Sequence, residues 1–503
     1  MSNHLFDALT AFIPDRDKTF LELAGGVTLS YRDMFARSAQ YAGALLKLGV
    51  KPGDRVAVQV EKTPEALMIY LGTIRAGGVF LPLNTAYTPS EIAYFVGDAE
   101  PAVFVCDPAK ADALAGTAQK AGAKLQTLDA GGEGSLRQLA DEMPTDFDNR
   151  PRQDDDLAAI LYTSGTTGRS KGAMLSHDNL ASNSATMVKV WRFTEDDVLL
   201  HALPIFHTHG LFVATNCLMM AGGAMQFLPK FDLDQVLAML PKATAMMGVP
   251  TFYTRLLGSD LFTKDLVGHM RVFISGSAPL SAEVHKEFSA RTGHAILERY
   301  GMTETNMNTS NPYDGERRPG TVGFPLPGVG LRIVDQKTGR ELPAGDVGIM
   351  EVKGPNVFQG YWRMPEKTAQ EFRADGYFIT GDMGRLDEDG YVSIVGRSKD
   401  LIISGGFNVY PAEVEALLDE LPGVAESAVI GVPHPDFGEA VVAVLAPKNG
   451  ASLDQDAILT ALGGTLARFK QPKKVHVLEA LPRNAMGKIQ KNALRDQYES
   501  DFA

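Results

Sequence analysis

Residues Ile160 to Gly172 read ILYTSGTTGRSKG: an apolar, strand-like run, a loop of Gly, Ser and Thr, and then Lys171. Such a loop can wrap a polyphosphate. Gly165 and Gly168 let the backbone come close to a phosphate, Ser164, Thr166 and Thr167 offer hydroxyl donors, and Lys171 adds positive charge. The nucleotide pattern G-x-x-x-x-G-K-[ST] is not met, because Arg169 follows Gly168 and no Gly-Lys-Ser/Thr occurs. That argues against a motor-type ATPase. By composition alone a polar, Gly-rich turn after a strand is a flexible connection.

Working outward, short apolar runs alternate with helix-length segments. RVAVQV at Arg55, VFLPL at Val79, VFVC at Val103, LAAILYT at Leu157, VLLHALP at Val198, MMGVP at Met246 and VFISGS at Val272 read as strands. Ser30 to Asp33 resembles a capping box that opens a helix stopped at Gly49, and Thr63-Pro64 opens another. This alternation predicts an α/β fold of helix-covered parallel sheets. Ligands bind such folds at the carboxyl ends of strands, where the Gly-rich loop, HTHG, SGSAPL and YGMTET all fall. From Gly320 the texture changes to short alternating segments with frequent turns, which predicts a small β-rich subdomain. After Gly396-Arg397-Ser398-Lys399-Asp400 a helix opened by Pro411 and the strands ESAVIGV and AVVAVLA suggest a small α+β unit.

The 503 residues predict two to four units on a prior of roughly 100–200 residues per domain. Lys plus Arg number 48 against 61 Asp plus Glu, a net charge of -13, and no basic block would draw nucleic acid. Anionic ligands must then be met by local cations. Cys106 and Cys217 lack metal-like spacing, so no disulfide framework is expected. MSNHLFDALTAF lacks the pattern of an export signal, and Leu211 to Pro229 is interrupted by polar residues and glycines, reading as a buried helix and strand. A cytoplasmic protein with no membrane partner is expected.

The string TSGTTG followed by Lys-Gly resembles the phosphate loop of the adenylate-forming family, which includes acyl-CoA synthetases, peptide-synthetase adenylation domains and luciferases. Most members carry Pro before that lysine, where this chain has Ser170. Further motifs of the family follow in order: LPIFHTHGL, SGSAPL, YGMTET, YFITGD, GYVSIVGRSKDLI and NAMGKIQK. The resemblance implies a large N-terminal domain over 1–398, with its β-rich subdomain at about 320–398, and a mobile α+β C-terminal domain over 399–503 hinged at Lys399. It implies ATP, Mg²⁺ and CoA, and a carboxylate that attacks the α-phosphate of ATP as pyrophosphate leaves. An anion must approach a polyanion, so donors and cations have to be in place beforehand.

On the same resemblance Thr163 to Gly168 and Lys171 hold the phosphates, Glu304 holds Mg²⁺ with Thr163 as a second contact, and Thr303 faces the α-phosphate. Asp382 accepts the ribose hydroxyls beside Arg397, Ser277, Ala278, Pro279 and Tyr300 wall the adenine, and Gly301 and Met302 also belong to the ATP site. Lys488 reaches the reacting carboxylate and phosphate. Apart from the resemblance, an exposed, reactive lysine there makes a lysine acetyltransferase a candidate partner, since acetylation removes the charge. Rotation about Lys399 then clears Lys488 and brings Ser404, Gly405 and Gly406 to the CoA path.

The acid is read from the cations near YGMTET. A short dicarboxylate leaves a second carboxylate that needs a cation, whereas fatty and aryl acids need an apolar pocket. Arg299 precedes Tyr300-Gly301, and Arg255 lies in VPTFYTRLL; with Ser277, His207 and His209 they are the candidate acyl-site residues. The pattern is similar to malonyl-CoA synthetases, with methylmalonate tolerated since one methylene discriminates by only ~1–3 kcal/mol. Two alternatives remain at this level: Arg299 paired with Glu298 and Arg255 on a wet helix face, and a fatty or aryl carboxylate–CoA ligase.

Overall fold

The computed structural model describes residues 2–502 except 14, 164–169, 406, 449, 464, 485 and 486. Two large sheets dominate its first 360 residues. Among the described residues, one sheet of seven strands runs parallel through Lys124–Thr127, Val103–Cys106, Arg55–Gln59, Val79–Pro82 and Leu157–Thr163. The other, of nine strands, runs parallel through Thr19–Leu23, Ala224–Phe227, Val198–His201, Ala245–Gly248, Val272–Ser275 and Leu297–Met302. Every apolar run read as a strand is one. Their side chains are buried on both faces, as parallel strands covered by helices must be.

The helices begin where the capping residues place them. Ser30 Oγ accepts the Asp33 N–H at 3.1 Å while Asp33 Oδ2 accepts the Ser30 N–H at 2.8 Å, which opens Tyr31–Lys47. Thr63 caps Pro64–Arg75, a helix buried along nearly its whole length. One core cluster joins both sheets, from Val56 and Phe80 on one to Leu199, Met246 and Phe273 on the other. The two sheets thereby share one apolar interior.

The stretch Leu211 to Pro229 becomes a π-helix over His209–Thr215, a helix over Asn216–Ala221 and the strand Ala224–Phe227. The β-rich part is an antiparallel sheet of Gly330–Val334, Gly348–Lys353, Phe378–Leu386 and Val392–Arg397. Beyond it a further sheet, built on Val424–His434 and Gly438–Pro447, carries its own two core clusters. No helix among the described residues is long and apolar enough to cross a membrane.

Candidate active site

The two strands that flank the Gly-rich stretch pair antiparallel, Leu157–Thr163 with Lys171–Ser176, opposing Thr163 to Lys171. The chain therefore returns as a strand, unlike the strand-to-helix turn of G-x-x-x-x-G-K-[ST] loops. Ser164, Gly165, Thr166, Thr167 and Gly168 lie outside the described residues. Lys171 opens the returning strand, its Nζ 3.2 Å from Glu371 Oε1 and 3.9 Å from the centre of the Tyr361 ring.

YGMTET is a hairpin tip. Tyr300, Gly301 and Met302 belong to the strand Leu297–Met302 itself, so only Thr303, Glu304 and Thr305 form the turn before Asn306–Ser310. Gly301 is required there, since a Cβ would lie 1.8 Å from the Asn306 carbonyl oxygen. Glu304 is buried and its backbone oxygen accepts the Phe358 N–H at 2.8 Å. Burial raises the Glu304 carboxyl above its ordinary value. The Tyr361 hydroxyl sits between two carboxylates, 3.1 Å from Glu304 Oε1 and 2.8 Å from Glu371 Oε2. Tyr361 and Glu371 escape sequence reasoning because the pairing of Gly360–Tyr361 with Ala173 and Met174 delivers them from almost two hundred residues away.

Asp382 faces Arg397 across neighbouring strands, Oδ1 to Nε 2.9 Å. The Tyr300 hydroxyl donates to Asp382 Oδ2 at 2.6 Å, while the Tyr300 ring packs with Ile333, Met350 and Val392. Asp382 foremost holds the Arg397 guanidinium above its ordinary value. Ser277, Ala278 and Pro279 follow the strand Val272–Ser275; Ser277 takes a left-handed φ of 70°, and Ala278 and Pro279 are exposed.

Arg299 lies on the other side of its strand from Glu298 and Tyr300, as strand alternation dictates. It makes no ion pair with Glu298: Arg299 Nε and Nη2 and Glu298 Oε1 are each buried without a hydrogen-bond partner. Burial pushes Arg299 down to about 9 and Glu298 up to about 8. Gly276 makes room for the guanidinium, since a Cβ there would lie 2.4 Å from Arg299 Cζ. Buried His209 is 3.2 Å from Ser277 Oγ through Nδ1, and its Nε2 has no partner. Burial and the charge of Arg299 keep His209 well below its ordinary value; His207, subject to burial, Lys488 and Arg299, is lowered to about 3. Both rings are therefore neutral donors or acceptors near neutral pH.

Arg255 does not join this group. It is exposed, on the opposite side of its helix from buried Tyr253 and Leu257, and its guanidinium lies over the Phe231 ring at 5.8 Å. The anion-binding role expected for it does not follow from that placement.

Lys488 is brought into the site from the C-terminal part. Its backbone N–H donates to Asn484 Oδ1 at 2.9 Å, and its ammonium lies within electrostatic reach of Arg397, Asp382, Glu304 and Arg299. Burial lowers its pKa from the ordinary lysine value. Lys399 sits in the tight turn Ser398–Asp400, next to the ion pair of Asp400 with Arg495 at 2.6 Å. Ser404 is buried in a hairpin whose Ile403 and Phe407 are exposed, and the Gly405 N–H donates to Phe437 O at 2.8 Å; Gly406 lies outside the described residues.

The AMP-binding enzyme family matches residues 13–362, and the family of AMP-binding enzyme C-terminal domains matches residues 413–488. The malonate–CoA ligase of Arabidopsis thaliana is 35% identical over 485 residues, covering 90% of this chain and 79% of the plant protein. A feruloyl-CoA synthase of Amycolatopsis is 36% identical over 478 residues, covering 94% of this chain and 95% of its own. Among solved structures, MatB from Rhodopseudomonas palustris is 61% identical with both chains fully covered; the TM-score is 0.98 for its ATP-bound form and 0.87 for its apo form.

Proposed function

This chain belongs to the AMP-binding enzyme family as an AMP-forming acyl-CoA ligase, and from that premise we propose that it joins malonate to CoA through a malonyl-adenylate. The observation that carries the choice of acid is Arg299: a buried guanidinium with two unpartnered nitrogens and no carboxylate beside it. A buried cation so placed is stabilised by an anion that arrives with the substrate. The free carboxylate of malonate fits, with Ser277 and neutral His209 as further partners. A fatty or aryl acid would leave the guanidinium unpaired in the bound complex, which disfavours that reading despite the feruloyl-CoA synthase relative.

ATP and CoA are the co-substrates of the family. In the proposed mechanism the Gly-rich stretch and Lys171 take the departing phosphates, Asp382 and Arg397 hold the ribose, and Tyr300 with the 277–279 turn borders the adenine. Thr303 faces the α-phosphate. Glu304 and Thr163 suit Mg²⁺, a hard cation that takes few carboxylates and completes its shell with phosphate and water oxygens. Among the described residues no group of three or more His, Cys, Asp or Glu could hold a metal on its own, which fits a metal shared with ATP. When bound, Mg²⁺ offsets phosphate charge. Lys488 holds the reacting carboxylate against the α-phosphate; one oxygen of that carboxylate bonds to phosphorus as the bond to pyrophosphate breaks. The CoA sulfur then attacks the acyl carbon and AMP leaves.

The near-identity of this arrangement to the ATP-bound MatB form supports an adenylation state with Lys488 turned inward. Rotation about Lys399, at the junction of domains 1–398 and 399–503, would withdraw Lys488 and present Ser404 to Gly406 to the pantetheine chain. Acetylation of Lys488 would stop the first half-reaction by removing its charge. We place the reaction in the cytoplasm. ATP–pyrophosphate exchange with malonate, methylmalonate, butyrate, a long-chain acid and ferulate tests the reading: malonate should lead, with methylmalonate next. Preference for ferulate or the long-chain acid overturns it.

A further inference from the structure

Lys62 is a buried amine that the proposed reaction does not use. It follows the strand Arg55–Gln59, at the carboxyl end of the seven-stranded sheet, and is 8% exposed. Its Nζ donates to His201 O at 2.8 Å and lies 3.0 Å from His201 Nδ1. The remaining direction faces the Phe227 ring, 4.3 Å from its centre. His201 ends a strand of the other large sheet, so this contact clamps the two sheets together.

The clamp continues toward the acyl side. His201 Nε2 lies 2.9 Å from Gly210 O, a pure acceptor, so Nε2 carries the proton and Nδ1 is left to accept from Lys62. Gly210 O also accepts from Thr215 Oγ1 at 3.0 Å. Gly210 is the second residue of the π-helix His209–Thr215, and it cannot drift: its missing Cβ would lie 2.1 Å from Pro204 O. The first residue is His209, whose ring meets Ser277 beside Arg299. A π-turn is an unfavourable local geometry held by its surroundings, and it recurs where side chains must be aimed. Here the surroundings trace from Lys62 through His201 to Gly210.

We infer that Lys62 is a positioning residue for the acyl pocket, fixing the His201 tautomer that pins the π-turn and so aims His209 at the substrate's distal carboxylate. The inference rests on the proposed dicarboxylate reading only for the identity of the acid. Lys62 is engaged by His201 and Phe227, and two N–H donors suffice for the clamp.

The test is Lys62→Met, which keeps length and apolar packing over Phe227 but removes the donors. kcat/KM for malonate should fall about tenfold, the scale of one lost buried hydrogen bond, while KM for ATP moves less than about twofold. Combined with His209→Ala, it should add little to the loss that His209→Ala causes alone, because both act through one ring. Equal losses for both substrates, or full additivity, overturn the inference and leave Lys62 a support of the fold. Should the variant not fold, imidazole nitrogen NMR of the unaltered enzyme decides: His201 should be neutral with its proton on Nε2, and a charged or Nδ1-protonated ring contradicts the clamp. Should the acid panel select another acid, the malonate reading fails, but the Lys62 experiment runs unchanged on the acid found.

Discussion

The two halves of the site differ in how their polar groups are satisfied. On the nucleotide side Asp382 holds both Arg397 and Tyr300, and Tyr361 links Glu304 to Glu371, which in turn holds Lys171. On the acyl side Arg299 and His209 present buried nitrogens that nothing accepts. A buried polar group left without a partner costs about 1–3 kcal/mol, more if charged, so it persists where function uses it. In the proposed function the paired half receives the ribose and the phosphates. In the proposed function the unpaired half is completed by an anion that enters with the substrate.

The sharpest way to separate the halves is at the residue that touches both. Lys488→Ala should lower ATP–pyrophosphate exchange by about 10²–10³ or more, the scale for losing a charge that acts on the developing transition state. Conversion of supplied malonyl-adenylate and CoA to thioester should persist; equal loss of both half-reactions would dissolve the assignment. Next comes Gly276→Ala, which introduces a Cβ where Arg299 Cζ lies 2.4 Å away. Displacing the guanidinium by about 1 Å should cost about 10²-fold in kcat/KM for malonate and leave KM for ATP within a few-fold.

Asp382→Asn probes the other half. Loss of charge-assisted hydrogen bonds to the ribose should raise KM for ATP about tenfold with the order of acids unchanged, which steady-state kinetics on malonate and butyrate will show. The smallest effect expected is a pH effect. Arg299 is depressed to about 9, so its charge is present below that value and lost as pH rises through it. The malonate-to-butyrate ratio of kcat/KM should thus be flat near neutrality and fall to about half as pH reaches about 9, since a group is half deprotonated at its pKa. A ratio that rises with pH would place the specificity elsewhere.

The elements, and the placement of the residues proposed to bind the nucleotide, were legible because their signals are local. Capping residues, apolar runs and motif strings fix Tyr31–Lys47, the parallel strands, Asp382, Arg397 and Glu304 within short windows. The alternative that Arg299 pairs with Glu298 is excluded by the two-residue period of a strand, which sends adjacent residues to opposite faces and is readable from LERY. Arg255 is turned outward for the analogous reason on a helix: Tyr253 and Leu257, two residues before and after it, take the inward face. Tyr361, Glu371 and Lys62 had no signal of their own. Each matters through a partner that only strand pairing or sheet-to-sheet packing brings near. Likewise the room that Gly276 leaves for Arg299 is a tertiary fact.

The most direct test of the account is ATP–pyrophosphate exchange with malonate and with butyrate, measured on the unaltered enzyme and on Arg299→Ala. Removing one partner of a buried charge pair costs about 3–5 kcal/mol, so malonate should lose about 10²–10⁴-fold while butyrate changes little or improves. A malonate preference that survives Arg299→Ala unchanged would contradict the account.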